Sequence, residues 1–153
     1  MTQPSPERLV DSVVDLLRSS ELVGVRTYRV AGSWAEAEAT DRPEGTEQEL
    51  HVSVRGDATW FETRVAMVVR TPEADFAADV GVRYDYAEPL SVPQEIMSEF
   101  VERVGVMAVF PFLRESIFTT ATRLGAGTPV IGLLRAGDFH LSPPDSDQRP
   151  EDI

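Results

Sequence analysis

The side chains that most often carry catalysis or bind metals are scarce in this sequence. It has no cysteine and all 14 of its basic residues are arginine, which excludes a thiolate nucleophile, a thiolate metal site and a catalytic lysine. The two histidines are His51, on the polar side of a predicted strand, and His140, near the C-terminal end. A metal site needs clustered ligands or a helical histidine pair, and neither histidine offers one. We therefore expect no catalytic residue, no metal site and no cofactor.

Acidic side chains are abundant, but they are not placed for acid–base catalysis. Glu36 and Glu38, like Asp79 and Asp85, fall on strand faces predicted to meet water, which is not the buried environment that a catalytic acid needs. The two-glycine segment 124–128 lacks the third glycine, the lysine and the preceding strand of a phosphate-binding loop. We interpret the acids as a solubilising or partner-binding surface and the glycines as a helix end. The pattern favours a binding protein over an enzyme.

Length and charge limit the possible partners. The chain has 153 residues, 42% of them hydrophobic, which fits one domain with a buried core. A net charge of −12 repels nucleic acid and makes basic protein segments better candidate partners. The nearly apolar run 104–113 is too short to cross a bilayer, which takes about 20 residues, and residues 1–7 lack a basic start. We therefore expect a cytoplasmic protein that does not insert into membranes.

The spacing of apolar residues predicts the elements of the N-terminal half. Ser5, Pro6 and Glu7 are typical of a helix start, and apolar residues at helical spacing follow, so we predict a helix over about 6–18. Alternating apolar and polar residues over about 22–87 predict four strands, separated by turn residues within 40–48, 56–57 and 71–73. Gly32 indicates a bulge or bend in the first long strand. Consecutive strands with short turns form an antiparallel sheet with one face in water.

A helical pattern over about 93–124 predicts the cover for the apolar face of that sheet. Pro93 and Glu95 are typical of a helix start, and Gly125 predicts its end. Pro111 interrupts the run, so we expect two helices or one kinked helix. The fold class is therefore α+β: a four-stranded antiparallel sheet packed by a long kinked C-terminal helix, with an extra N-terminal helix. Residues 1–141 form a single domain, and the acidic, proline-containing residues 142–153 form a disordered tail.

Large, pliable apolar side chains exceed what four strands and a helix need. Most of them belong in the core, and a subset on a sheet edge or an outer helix face lines an adaptable groove, because methionine and aromatic residues tolerate varied apolar partners. The candidates for that groove are Trp34, Trp60, Phe61, Met67, Phe76, Met97, Phe100, Phe110 and Phe112.

The segment Val109–Glu115, V-F-P-F-L-R-E, resembles the F-P-Y-x-R-E segment of the SecB family of protein-export chaperones. The helical pattern that follows it, and the order of a long strand, an acidic crossover loop and three more strands before it, match that family over roughly residues 22–140. Two features depart from the family. The long second helix after the motif is largely gone, and Ala77, Gly81 and Val82 replace most of the residues by which typical members dock the translocation motor ATPase.

The resemblance implies an ATP-independent holdase, SecB-like in fold and assembled as a homotetramer, a dimer of dimers. Its apolar grooves would keep unfolded client polypeptides from aggregating, with the nine candidates above as groove residues and Asp79 as the candidate for docking the motor ATPase. The N-terminal helix is similar to that of the SecB-like chaperones of toxin–antitoxin systems, which protect an aggregation-prone antitoxin. The implied clients are therefore proteins kept competent for export or one dedicated antitoxin.

Two other interpretations stay open. In a small helix-grip domain, a curved sheet surrounds a helix and an apolar cavity that binds or cyclises a hydrophobic small molecule. That interpretation predicts a monomer or dimer and an internal pocket with a buried polar group, for which His51 and Tyr28 are the candidates. An assembly subunit without clients would instead form a tetramer and expose no apolar groove.

Overall fold

The computed structural model describes residues 3–132, in which β-strands are the most abundant regular element. In chain order the elements are β1 (Arg8–Leu9), α1 (Val13–Ser19), β2 (Ser20–Trp34), β3 (Glu47–Gly56), β4 (Trp60–Arg70), β5 (Ala74–Tyr86), β6 (Leu90–Ser91), α2 (Gln94–Phe100), a π-helical turn (Val101–Gly105) and α3 (Val106–Leu124). The four long strands form an antiparallel sheet in the order β2-β5-β4-β3. The predicted α+β class, with its four-stranded antiparallel sheet and long C-terminal helix, is confirmed.

The N-terminal helix begins later than the sequence pattern predicts. Residues 8–9 are extended and pair in parallel with Leu90–Ser91, and α1 starts only after Ser12. The Ser12 hydroxyl accepts a hydrogen bond from the Asp15 backbone N–H at 3.1 Å, which is a helix N-cap. The predicted start at 5–7 is therefore wrong. The pairing with β6 satisfies the backbone of residues 8–10, so the first helical turn has no need to form there.

The irregular positions of β2 are not at Gly32, where the sequence predicts a bulge. The register with β5 shifts between Leu22 and Gly24 and again between Thr27 and Arg29. Gly32 instead lets α3 approach the sheet, because a Cβ atom there would lie only 2.5 Å from Cγ2 of Thr120.

The inner face of the sheet and the helices enclose the hydrophobic core. Alternate residues of β4 and β5 point inward, so Met67 and Val80 are fully buried. Phe61 stacks on Tyr84 at a centroid distance of 4.7 Å, and Phe100 of α2 meets Phe61 edge-on at 5.3 Å. This aromatic cluster joins strands β4 and β5 to helix α2.

The helical run is irregular before Pro111 rather than at it. Helix α3 continues through Pro111, which is exposed, so the first of the two predicted alternatives, a division into two helices at this residue, is wrong. The irregularity is the π-helical turn that ends at Gly105, where a Cβ atom would lie 2.8 Å from Oγ1 of Thr63. Gly125 caps α3 with a φ of 73°, and the Ala126 N–H donates to the Ala121 carbonyl, as predicted for a glycine helix end.

Arg42 fastens the crossover loop between β2 and β3 to the sheet. It donates to the carbonyl oxygens of Thr71 and Ala74, at 2.5 and 3.1 Å, and forms an ion pair with Asp75 at 2.9 Å. The Asp75 carboxylate raises the pKa of Arg42.

No helix within residues 3–132 is both long and apolar enough to cross a membrane. The predicted tail 142–153 and His140 lie outside the described residues.

Candidate functional site

The structure divides the nine predicted groove residues into a buried and an accessible set. Phe61, Met67, Phe76, Phe100 and Phe110 belong to the core and are at most 5% exposed. Trp34 is 50% and Phe112 is 41% exposed. Trp60 and Met97 are half-buried. A client-binding role for the nine residues stays a prediction, and the accessible set contains the side chains that a ligand can touch without opening the core.

The V-F-P-F-L-R-E motif shows how one helix separates similar side chains. Phe110 and Phe112 are two positions apart, so they project from different sides of the unbroken helix α3. Phe110 is buried beneath α3, and Phe112 is exposed on the outside of the helix. The Arg114 guanidinium lies over the rings of Phe110 and Phe118, and Glu115 accepts a hydrogen bond from the Thr119 hydroxyl at 3.0 Å.

An open groove of about 490 Å³ lies at one end of the molecule, and we call it the hairpin groove. The turn between β3 and β4, strand β6 and the start of α2 form its walls. Its apolar lining residues are Val54, Trp60, Phe61, Tyr86, Leu90, Val92 and Met97. The hairpin groove brings together Trp60, Phe61 and Met97 of the predicted set, while Trp34 and Phe112 lie outside it. The sequence pattern did not identify the contribution of β6, because two paired residues leave no periodic signal.

Polar groups at the hairpin groove are held in fixed positions. Asp57 accepts hydrogen bonds from the hydroxyl and the backbone N–H of Thr59, both at 2.7 Å, and these lower the pKa of the Asp57 carboxyl group. Burial, with a smaller contribution from the charge of Asp57, raises the pKa of Tyr86 to about 12. Tyr86 therefore stays neutral near pH 7, so it presents an aromatic surface with a hydroxyl group. The groove suits apolar segments with an occasional hydrogen-bonding group, and its lining residues are not arranged as a catalytic site.

A second accessible apolar surface, which we call the edge surface, follows the N-terminal segment and strand β2. Its exposed members are Leu9, Val14, Leu17, Leu22, Val23, Val25, Val30 and Trp34. Strand β2 is the last strand on its side of the sheet, so one side of its backbone has no neighbour within the described chain. An exposed apolar edge of this length is a template for pairing with another extended chain.

The outer face of the sheet carries a polar network instead of an apolar surface. Glu62 is buried and accepts two hydrogen bonds from the Tyr28 hydroxyl, at 2.7 and 2.9 Å, and one from Nε of Arg55 at 2.9 Å. Arg64 lies 3.7 Å from the centroid of the Tyr28 ring. The same guanidinium binds both carboxylate oxygens of Asp79, at 2.8 and 2.6 Å. The predicted motor-docking residue is therefore held in an ion pair within the sheet.

The small-molecule interpretation needs a cavity between sheet and helix, and within residues 3–132 that space is filled by side chains. That space is occupied by the hydrophobic core, including Phe61, Phe76 and Phe100. His51 is exposed on β3, and the Tyr28 hydroxyl belongs to the network on the outer face. Among residues 3–132 there is no group of three or more potential metal ligands.

Comparison with known proteins identifies one family. No family model matches the chain. It is 33% identical over 132 residues to the SecB-like chaperone SmegB of Mycolicibacterium smegmatis, which covers 86% of this chain and 87% of that protein. The fold is similar to that of the Mycobacterium tuberculosis Rv1957 SecB-like chaperone, solved in complex with a ChAD peptide from the Rv1956 HigA1 antitoxin. The TM-score is 0.64 at 18% identity, over 78% of this chain and 94% of that one.

Proposed function

This chain belongs to the SecB-like chaperone family, and from that premise we propose that it is an ATP-independent holdase whose client is an antitoxin. A holdase works by mass action: it binds the unfolded client and so lowers the concentration of the species that aggregates. The observation that carries the proposal is the open hairpin groove, lined by pliable apolar side chains on a chain whose core is otherwise closed.

The hairpin groove has the properties of an adaptable client site. Trp60 and Met97 are half-buried, so each keeps part of its surface free for a ligand while its backbone is held by β4 or α2. Methionine fills irregular gaps, and aromatic rings bind varied apolar partners. The volume of about 490 Å³ holds a few side chains, so stable capture of a long client needs several such grooves acting together.

The choice of an antitoxin client rests on one relative and on the ion pair of Asp79. The Rv1957 chaperone was solved with an antitoxin peptide, and its fold is similar to that of this chain. An export chaperone would also need a surface for the motor ATPase, and here both oxygens of Asp79 are bound by Arg64. Export clients are therefore the less supported alternative.

The unpaired surfaces support assembly into a homotetramer, a dimer of dimers. We propose that β2 strands of two copies pair along the edge surface, where Val25 is 41% exposed, and that two such dimers pack through the outer side of α3 at Met107 and Phe112. We place this assembly in the cytoplasm, where an unfolded antitoxin is synthesised. Analytical ultracentrifugation should give the mass of four chains, and Phe112→Asp should reduce it to that of two.

The test of the holdase proposal is suppression of aggregation without nucleotide. A chemically unfolded, aggregation-prone protein is diluted with and without the chaperone, and light scattering is followed. In a second assay, binding of the ChAD peptide is measured by titration calorimetry. We expect the Trp60→Ala, Met97→Ala double variant to lose most of its suppression of aggregation and most of its affinity for the peptide, because both side chains line the hairpin groove.

Trp34→Ala is the matched control, because it removes an exposed tryptophan outside the hairpin groove. Retained activity in this control and loss in the double variant support the groove. Equal loss in both variants would show that the loss is not specific to the hairpin groove. Binding of the ChAD peptide without general suppression of aggregation supports a dedicated antitoxin client. The proposal would be refuted if a correctly assembled tetramer neither suppressed aggregation nor bound the peptide.

A further inference from the structure

A separate pocket of about 240 Å³ opens on the outer face of the sheet, and we call it the arginine pocket. Its lining contains three arginines, Arg26 from β2, Arg55 from β3 and Arg83 from β5. Gly24 leaves space open, because its Cβ position has no neighbour within 4 Å. Gly81 instead lets Glu62 and Tyr28 pack closely on β5, because a Cβ atom there would lie 2.6 Å from the Glu62 carboxylate. A cationic pocket is unexpected in a chain with a net charge of −12.

Two of these arginines have donors left for a ligand. Nε of Arg83 binds Asp85 at 3.0 Å, and neither of its terminal nitrogens has a hydrogen bond within the described chain. Arg26 has no carboxylate partner among residues 3–132, where its guanidinium lies 5.6 Å from the Tyr28 ring centroid. A guanidinium with free donors is a specific partner for a carboxylate, which accepts two parallel hydrogen bonds.

The negative charge inside the arginine pocket is already compensated. Glu62 is buried and bound by Arg55 and by the Tyr28 hydroxyl, so it does not neutralise Arg26 or Arg83. The Trp60 ring contacts two guanidinium groups, with its centroid 4.5 Å from that of Arg83 and 5.5 Å from that of Arg55. This stacking holds Arg83 against the pocket wall and supplies an apolar surface next to the charge.

We propose that the arginine pocket binds glutamate or aspartate side chains of an acidic polypeptide segment. The size of the cationic surface argues for such a segment rather than for nucleic acid. Asp85 and Glu21 face each other at one end of the pocket, so the positive surface is short. A few localised carboxylates match it, whereas a phosphate backbone would extend over the acidic surroundings.

The acidic-segment site is separable from the proposed client groove. Trp60 and Arg55 border both, but Arg26 and Arg83 do not line the hairpin groove. Arg26→Gln with Arg83→Gln therefore removes charge from the arginine pocket without replacing a residue that lines the hairpin groove. Arg18→Gln with Arg123→Gln is the matched control, because it removes the same charge from exposed helical positions.

The experiment measures fluorescence anisotropy of a dye-labelled, glutamate-rich peptide, with a glutamine-for-glutamate peptide as reference. We expect the Arg26/Arg83 variant to bind the acidic peptide about tenfold more weakly, the control variant to bind like the wild type, and affinity to fall with added salt. Suppression of client aggregation should be unchanged in both variants, which distinguishes failure of this site from failure of the holdase proposal.

Three results would overturn the assignment. One is equal affinity for the glutamate and glutamine peptides. Another is equal weakening by the two double variants, which would show a general charge effect. The third is tighter binding of a single-stranded oligonucleotide that depends on Arg26 and Arg83, which would assign the pocket to phosphate groups.

Discussion

The two faces of strands β4 and β5 differ more than their shared backbone suggests. On the inner face, Val65 and Met67 are 0% exposed and contact the helices. On the outer face, one residue away along the same strand, Arg64 forms an ion pair with Asp79 and stacks on Tyr28. Both faces are ordered, but apolar packing orders the first and hydrogen bonds and ring contacts order the second.

This difference shows where ligands can bind. A ligand can reach the close-packed apolar face only if the helices move away from the sheet, and that movement would expose the hydrophobic core to water. The outer face keeps donors available, as Arg83 does, and the sheet edge keeps apolar side chains available, as Val25 does. The presence of large apolar residues therefore does not identify a binding surface. The accessible fraction of each side chain determines whether a ligand can contact it.

Truncating one inner residue should give the largest loss of stability. We expect Met67→Ala to lower the free energy of unfolding by about 2–5 kcal/mol, because its side chain is fully buried and leaves a cavity. The control is Val68→Ala, on the outer face of the same strand and half-buried, with an expected loss of about 1 kcal/mol or less. Urea unfolding followed by circular dichroism measures both, and equal losses would contradict the division between the faces.

Two glycines of β2 test the same division by adding one methyl group. Gly32→Ala should cost about 1–3 kcal/mol, because the new Cβ would lie 2.5 Å from Cγ2 of Thr120 in α3. Gly24→Ala meets no atom within 4 Å, so we expect a change of less than about 1 kcal/mol in either direction. Thermal unfolding of the two variants under one set of conditions measures the difference. A larger loss at Gly24 would show that α3 is not closely packed on β2.

Acid should have the smallest effect, confined to polar sites outside the core. Arg8 holds the pKa of Asp15 below its ordinary value of 3.8, and Thr59 does the same for Asp57. Each carboxylate therefore stabilises the fold above pH 3.8, and the stabilisation is lost as the pH falls further, because the unfolded chain takes up the proton first.

The measurement is urea unfolding at several pH values between about 2 and 6, a range that includes the ordinary aspartate pKa and the lower values to which these two carboxyl groups are shifted. Asp57→Asn should flatten the acid slope, whereas Glu38→Gln removes one negative charge from an exposed loop position and serves as the control. An unchanged slope in Asp57→Asn would show that this turn does not contribute to the pH dependence.

Regular periodicity made much of the fold predictable. The strand alternation around Met67 and Val80 placed both on the inner face, and Gly125 marked the end of α3. Predictions failed where a local sequence signal is compatible with more than one structure. Ser5 and Ser12 are both possible helix caps, and pairing of residues 8–9 with β6 selected the second. Pro111 permits either a break or an exposed ring, and packing of Gly105 on Thr63 placed the irregularity earlier.

The candidate site was less predictable than the fold. Side-chain type selected nine residues, and the structure placed five of them in the core. One of these five, Phe61, also lines the hairpin groove together with Trp60 and Met97. The arginine pocket had no sequence signal, because Arg26, Arg55 and Arg83 are far apart in the chain and meet only through strand pairing.

Sequence patterns were enough to predict the order of the four long strands and the helices, the inner face of the sheet, the absence of cysteine and lysine chemistry and, through the motif around Pro111, the family. Those properties depend on neighbours within a few residues, which the sequence shows directly. Tertiary structure alone decided which aromatic side chains stay accessible and which charges lie together. Exposure and charge clustering depend on contacts between strands such as β2, β4 and β5, and those contacts are set by bulges and register.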